Sequence, residues 1–196
     1  MKHFEIYTPE TAPSPAAETL QALKEKLGFA PNVFAVMGGT PGGLSAFVSL
    51  NQNFGETSLS ATEREIVQIA VSVENGGAYC VAGHTSFARK QGVADEIVEA
   101  VRTRGRIADP KLAALHTFVR RVTVKRGNLA EGELEAFLAA GYSDAQVQEV
   151  ILGICVKMFS NLADNLLGFP LDDAFVPYRW DPSEAAPRAD ADAIAA

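Results

Sequence analysis

One cysteine and one histidine lie four residues apart in the stretch NGGAYCVAGHT, and both can take part in proton-transfer chemistry. If a helix begins near Ala78, Cys80 lies in its first turn and His84 follows one turn later on the same face. Free backbone N–H groups and the helix dipole favour a thiolate in a first turn. The imidazole of His84 can accept the thiol proton or relay one to a third group. The spacing therefore indicates a candidate nucleophile with an adjacent base.

Glu65 is the carboxylate that could complete this arrangement. It precedes Cys80 by fifteen positions, in a segment predicted to be a central helix. An antiparallel hairpin of the two helices would bring the carboxylate beside His84, where it would orient the imidazole and stabilise its charged form.

Two other interpretations use the same three residues. Cys80 and His84 could be ordinary buried residues, with Glu65 an exposed acid that the helix dipole favours. Alternatively, Cys80, His84 and Glu65 could bind zinc, because ligands one helical turn apart suit a tetrahedral metal. No fourth ligand is evident nearby in the sequence, which weighs against zinc.

The composition is that of one globular domain and weighs against several functional classes. Of 196 residues, 47% are hydrophobic and 21% charged, which suits a single buried core. A net charge of -7 and a pI near 5.0 argue against nucleic acid as a partner. Two cysteines cannot build a disulfide framework, so we expect a reducing, cytoplasmic setting. The first ten residues lack a signal-peptide pattern, and the apolar runs are too short to predict a membrane span.

Helix start and stop signals occur along the whole chain. The starts are marked by Ser14-Pro15, by the Ser60 and Glu63 pair, by Asp109-Pro110 and by the Ser143 and Gln146 pair. No segment shows the two-residue alternation of a strand between turn signals. The predicted fold class is therefore all-α, a multi-helix bundle.

A single helical domain is predicted over residues 14–180. Residues 1–13 are predicted to form an N-terminal arm that lies on a neighbouring surface. Residues 181–196, rich in Asp, Ala and Pro, are predicted to be a disordered tail. Cys155 lies in the apolar run ILGICVKMF and is predicted to pack in the core.

The segment from Glu63 to Val93 resembles the alkylhydroperoxidase D-like branch of the carboxymuconolactone decarboxylase family. In that branch a helix with a functional glutamate leads into Asn-Gly-Cys-x-Tyr-Cys-x-x-x-His, followed by small residues and a closing glycine. The residues that fit this pattern are Glu65, Asn75, Gly76, Tyr79, Cys80, His84 and Gly92. The later stretch AGYSDAQVQEVILGICVKMFSNLADNL resembles the family's C-terminal helix, so the resemblance covers roughly residues 30–180.

The resemblance implies an all-α fold assembled as trimers or hexamers, and thiol-dependent reduction of peroxides as an antioxidant activity. It assigns the peroxidatic thiol to Cys80, the proton carrier to His84, and the acid that orients or feeds it to Glu65. No motif implies a metal, haem or flavin. The expected partners are a hydroperoxide substrate and an external thiol reductant, with no nucleic acid and no membrane.

The sequence departs from the family pattern at Gly77, where the first cysteine of the motif is absent. A disulfide within the motif cannot form, so a two-cysteine cycle inside it is excluded. A sulfenic acid at Cys80 could still be reduced by an external thiol, which is the preferred hypothesis, or by Cys155. If peroxidase activity has been lost, the scaffold could be a non-catalytic, small-molecule-binding or redox-sensing oligomer. It could also be a non-redox, decarboxylase-like enzyme.

Overall fold

The fold is described by a computed structural model, which covers residues 4–187 and contains helices and no strand in that range. The α-helices are α1 Ala16–Leu27, α2 Asn32–Met37, α3 Pro41–Gly55, α4 Ala61–Asn75, α5 Ala78–Lys90, α6 Asp95–Arg102, α7 Pro110–Lys125, α8 Glu133–Ala139 and α9 Asp144–Leu167. Two short 3₁₀-helices follow, Asp173–Tyr178 and Pro182–Glu184. The predicted all-α class is confirmed.

Helix α4 lies at the centre of the fold and is buried along most of its length. Eleven of its 15 residues are buried, and it packs against α5, α6, α7 and α9. Its start is fixed by the predicted capping box. The N–H of Glu63 donates to Ser60 Oγ at 3.2 Å, and the N–H of Ser60 donates to Glu63 Oε2 at 2.8 Å.

A tight turn joins α4 to α5 and reverses the chain. Gly76 adopts φ +68°, the left-handed conformation that favours glycine at a helix end. The N–H of Gly77 then donates to the carbonyl of Ser72 at 2.9 Å, and α5 begins at the next residue. The predicted hairpin is formed, so the start of α4 lies beside the end of α5.

Helix α9 begins at the predicted capping box of Ser143 and Gln146. The prediction that Cys155 packs in the core is wrong, because its side chain is exposed on the outer face of this helix. That outer face also carries exposed apolar side chains, among them Ile151 and Leu162. Because α9 is apolar on both sides, the sequence alone did not indicate which side meets the core.

Among residues 4–187, α9 is also the one helix long and apolar enough, by length and composition alone, to cross a bilayer. The core helix of a globular protein can pass the same test. Here the helix packs against α3 and α4. It buries the polar side chains Lys157, Ser160, Asn161 and Asp164 on that side.

The start of α1 differs from the sequence prediction, whereas that of α7 does not. Helix α1 begins at Ala16 with Pro15 in the cap position, and no described side chain caps its first turn, so Ser14 is not the cap. Asp109 caps α7 as predicted, accepting a hydrogen bond from the N–H of Leu112 at 2.9 Å.

The N-terminal arm lies on the chain's own surface in the part that the structure describes. The N–H of Tyr7 donates to the carbonyl of Ala35 in α2 at 3.2 Å, and the Tyr7 ring packs close to Gly39. Residues 4–13 therefore need no neighbouring molecule for their placement. Residues 1–3 of the predicted arm lie outside the described range.

The C-terminal segment is ordered further than predicted. The N–H of Ala186 donates to the carbonyl of Thr103 at 3.0 Å, and Glu184 lies 3.6 Å from the guanidinium of Arg102. These contacts dock residues 181–187 on the end of α6, which corrects the prediction of a disordered tail from residue 181. Residues 188–196 lie outside the described range.

Candidate active site

A cavity of about 70 Å³ lies between α2, α3, α5, α9 and the first 3₁₀-helix. Its walls are mainly aromatic: Phe34, Phe47, Tyr79, Phe87 and Phe175. Its polar side chains are those of Asn51, Cys80, His84 and Lys157. The cavity is therefore an apolar space with a few convergent polar groups, the lining that is usual for a small-molecule site, but it is smaller than the roughly 300–1,000 Å³ of sites for drug-sized ligands.

Cys80 lies in the first turn of α5 as predicted, because α5 begins at Ala78. Its side chain lines the cavity, although the residue is only 3% exposed. The thiol lies 3.5 Å from Ser160 Oγ on α9, to which it can donate a hydrogen bond. A reagent can therefore meet this sulfur only at the cavity wall.

His84 and Glu65 meet across the α4–α5 hairpin, as the sequence suggested. His84 Nδ1 lies 2.9 Å from Glu65 Oε2. The second carboxylate oxygen, Glu65 Oε1, accepts a hydrogen bond from Gln91 Nε2 at 2.8 Å. Glu65 is thus held at both oxygens and is buried, which contradicts its alternative interpretation as an exposed first-turn acid.

The other ring nitrogen of His84 contacts Lys157, a residue that the sequence analysis did not identify. Lys157 Nζ lies 2.8 Å from His84 Nε2. Lys157 is only 3% exposed and lines the same cavity as Cys80. The available signal was a single charged residue in the apolar run ILGICVKMF, since a lysine buried there needs a partner.

The surroundings of Lys157 and His84 set their protonation. Burial lowers the pKa of Lys157 below that of an ordinary amine, while the charges of Cys80 and Glu65 oppose the shift. Burial also lowers the pKa of His84; the positive charge of Lys157 adds to this effect and Glu65 opposes it. A neutral imidazole fits both partners. Its Nδ1–H donates to Glu65 and its Nε2 accepts from the Lys157 ammonium, an assignment that rests on the hydrogen-bond partners.

The position of the family's first cysteine is blocked by packing. Gly77 lies against the fully buried Asn161 on α9. The amide of Asn161 donates to Ser72 Oγ at 3.3 Å and accepts from Asn75 Nδ2 at 3.1 Å. Within residues 4–187, Cys80 is the one thiol that lines the cavity, because Cys155 faces outward.

The zinc interpretation finds no support in this geometry. Both nitrogens of His84 are hydrogen-bonded, which leaves neither free for a metal. No group of three His, Cys, Asp or Glu side chains in the described range is placed to hold a metal ion.

Comparison with known sequences agrees with the resemblance that the motif around Cys80 suggested. Residues 41–118 match the model of the carboxymuconolactone decarboxylase family. Over 56 residues the chain is 36% identical to the protein YdfG of Bacillus subtilis (strain 168). This match covers 29% of the chain and 38% of YdfG, so it spans well under half of that relative's length.

Several solved structures share the fold. A peroxidase-related protein from Ralstonia eutropha JMP134 with an alkylhydroperoxidase AhpD core has a TM-score of 0.78 at 22% identity, over 89% of this chain and 96% of that one. A peroxidase-related protein from Silicibacter sp. TM1040 has a TM-score of 0.75 at 21% identity, over 83% of this chain and 87% of that one. A cysteine-to-alanine variant of the debrominase Bmp8, in complex with 2,3,4-tribromopyrrole, has a TM-score of 0.76 at 17% identity, over 91% and 96%. Residues 41–118 are thus similar to the carboxymuconolactone decarboxylase family, and the chain as a whole shares the fold of alkylhydroperoxidase D-like proteins.

Proposed function

We propose that this protein reduces hydroperoxides through the single thiol of Cys80 and is returned to its reduced state by an external thiol. One observation carries the proposal. The cavity brings the Cys80 sulfur together with the end of a hydrogen-bonded chain that runs from Glu65 through His84 to Lys157. A nucleophile and a proton donor at one apolar site are what peroxide reduction requires. The peroxidase-related structural neighbours support an antioxidant role.

The first half of the reaction uses one thiolate and one proton. The Cys80 thiolate attacks the distal oxygen of the hydroperoxide, and the O–O bond breaks. Sulfur supplies the electron pair and becomes a sulfenic acid, while the proximal oxygen leaves and is protonated to an alcohol or water. The polar wall of the cavity supplies that proton.

The second half requires two external thiols. The first attacks the sulfenic acid, forms a mixed disulfide with Cys80 and releases water. The second attacks the mixed disulfide, releases the external disulfide and restores the Cys80 thiol. Neither Gly77 nor the outward-facing Cys155 offers a resolving thiol at the cavity. Two free cysteines suit the reducing, cytoplasmic setting that we propose for this cycle.

Trapping of the sulfenic acid tests this function. Reduced protein is mixed with hydrogen peroxide or tert-butyl hydroperoxide in the presence of dimedone, and the modified cysteine is located by mass spectrometry. We expect oxidation at Cys80 to be faster than that of free cysteine at the same pH. Cys80→Ser should abolish the fast reaction, and the matched control Cys155→Ser should preserve it. A rate no higher than that of free cysteine would exclude the peroxidase.

A second candidate is thiol-dependent removal of a halogen from a small aromatic compound. The aromatic walls of the cavity favour a flat apolar ligand, and one structural neighbour is a debrominase in complex with a bromopyrrole. The balanced reaction consumes two thiols and an aryl bromide, and yields the hydrogen-substituted ring, bromide, a proton and a disulfide. Bromide release from 2,3,4-tribromopyrrole in step with thiol consumption, without fast peroxide reduction, would favour this candidate over the first.

A further inference from the structure

Both nitrogens of His84 are already engaged by protein groups. Nδ1 contacts Glu65 at 2.9 Å and Nε2 contacts Lys157 at 2.8 Å. An imidazole with both nitrogens bonded in this way has no free N–H or lone pair to offer a substrate. The proton carrier that the family resemblance assigns to His84 must therefore act through another group, and Lys157 is the group at its cavity side.

We propose that Lys157 is a catalytic residue: its amine takes the thiol proton of Cys80, and the resulting ammonium gives that proton to the oxygen that leaves when the thiolate attacks a hydroperoxide. The proposal rests on the proposed peroxidase function of the same site. Cys80 on α5 and Lys157 on α9 both line the cavity of about 70 Å³. Both residues therefore border the space that a hydroperoxide would occupy.

The proton balance closes within the cavity. One proton leaves the Cys80 sulfur, rests on Lys157 Nζ, and ends on the alcohol or water that is released. When an external thiol later displaces Cys80 from the mixed disulfide, its proton passes to Lys157 and restores the starting charge. No proton has to cross the apolar walls during the attack on the peroxide.

The surroundings of Lys157 suit an amine that changes its charge during turnover. A buried ammonium is costly unless it is paired and hydrogen-bonded. Here Nζ donates to the imidazole of His84, whose far nitrogen is held by the carboxylate of Glu65. Burial lowers the pKa of Lys157, which makes its ammonium a stronger acid than that of a surface lysine. Glu65 and His84 are then positioning residues that hold and stabilise the ammonium.

Two substitutions of Lys157 distinguish the effect of its transferable proton from the effect of its positive charge. Lys157→Met keeps an unbranched, largely apolar side chain but removes the amine. Lys157→Arg keeps a positive charge beside the thiolate, but a guanidinium does not give up its proton in proteins. For each variant, the rate of sulfenic acid formation at Cys80 is measured in single-turnover experiments over a range of pH.

Two classes of oxidant then identify the step in which the amine takes part. Hydrogen peroxide and tert-butyl hydroperoxide release hydroxide or alkoxide, which need a proton as they leave. Peroxyacetic acid releases acetate, which does not. At a pH where the thiolate is fully formed, we expect Lys157→Met and Lys157→Arg to slow the reaction of Cys80 with the two hydroperoxides by about 100-fold or more. This is the usual contribution of general acid catalysis. The reaction with peroxyacetic acid should slow less than tenfold.

An equal loss of rate for both classes of oxidant, or no loss, would overturn the role of Lys157 as the acid. If neither variant folds, the wild-type protein still decides the question. With an internal acid, its rate should depend less steeply on the acidity of the leaving group than the rate of free cysteine does. An equally steep dependence would overturn the proposal. A wild-type rate equal to that of free cysteine for every oxidant would instead reject the peroxidase function itself.

Discussion

Asn161 occupies the space beside Gly77 that any larger residue at that position would need. A Cβ atom built on Gly77 would lie 2.9 Å from Asn161 Cγ and 3.3 Å from Asn161 Cβ, closer than well-packed carbon atoms normally approach. Asn161 is fully buried, and its amide is bonded to Ser72 and Asn75. Packing therefore leaves no room at position 77 for a second cysteine beside Cys80.

Restoring the family's first cysteine should fail unless Asn161 is also changed. We expect Gly77→Cys to lower the free energy of unfolding by about 1–3 kcal/mol, the usual cost of overpacking a core, and to form little disulfide with Cys80. The double variant Gly77→Cys with Asn161→Ala has room for the new side chain and should form that disulfide on mild oxidation.

Denaturant unfolding and the intact mass of the oxidised protein measure both expectations. Asn161→Ala alone is the control, because it leaves Ser72 and Asn75 without their amide partner. Quantitative disulfide formation in the single variant, at wild-type stability, would show that the side chain of Asn161 moves aside freely.

The charge of Glu65 should affect the rate at which Cys80 is oxidised. Glu65→Gln keeps the shape of the side chain but removes the negative charge that stabilises the buried ammonium of Lys157 through His84. A hydrogen bond to a charged group is worth about 1.5–3 kcal/mol, so we expect oxidation to slow by about tenfold or more. Stopped-flow measurement with hydrogen peroxide gives this rate.

Gln91→Ala is the matched control for Glu65. It removes the hydrogen bond to Glu65 Oε1 but leaves the charge and the contact with His84 in place. We therefore expect a smaller effect. Equal rates in wild-type protein, Glu65→Gln and Gln91→Ala would mean that the carboxylate has a purely structural role.

His116 on α7 should make the protein less stable in mild acid. Burial lowers the pKa of His116 from 6.5 to about 4; the charge of Arg120 adds to this effect, and Glu74 opposes it. The buried Nε2 has no hydrogen-bond partner among the described residues. The folded protein thus binds this proton less readily than the unfolded chain does. The free energy of unfolding should fall as the pH drops from about 6.5 to about 4, by about 3 kcal/mol in all.

Urea unfolding at pH 7 and pH 4 measures this loss. In His116→Gln the side chain does not titrate, so the variant should lose less stability than the wild-type protein over the same interval. The comparison isolates the histidine from carboxylates that also titrate there. Identical losses in the two proteins would rule out the contribution of His116.

If the chain forms the homo-oligomer that the family resemblance implies, we propose that the contact uses the outer face of α9. This face leaves apolar side chains in contact with water, with Leu162 56% and Leu166 80% exposed. Burying such side chains against a second copy would remove them from water. We expect the double substitution Leu162→Glu and Leu166→Glu to lower the molar mass in solution, measured by light scattering after size-exclusion chromatography.

Leu134 on α8 provides the control for this face, because it is 37% exposed on a different helix. Leu134→Glu should leave the molar mass unchanged. A monomeric wild-type protein would contradict the predicted assembly, and an unchanged mass in the α9 variant would place the contact on another face.

The sequence alone was sufficient for the features that depend on neighbouring residues. Capping pairs such as Ser60 with Glu63 fix helix starts through bonds within four residues. Cys80 and His84 share a helix face because they are one turn apart. Glu65 meets His84 because a tight turn at Gly76 brings α5 back along α4. The placement of Cys80, His84 and Glu65 relative to one another could therefore be predicted from local geometry.

Only the tertiary structure decided what α9 contributes. Lys157 reaches His84 across 73 positions of the chain, and Asn161 reaches Gly77 from the same helix. Helix α9 is apolar on both its buried and its exposed sides, so periodicity did not reveal that Lys157 points inward and Cys155 outward. Which face of such a helix meets the core depends on how distant elements pack together, and no local pattern in the sequence records that choice.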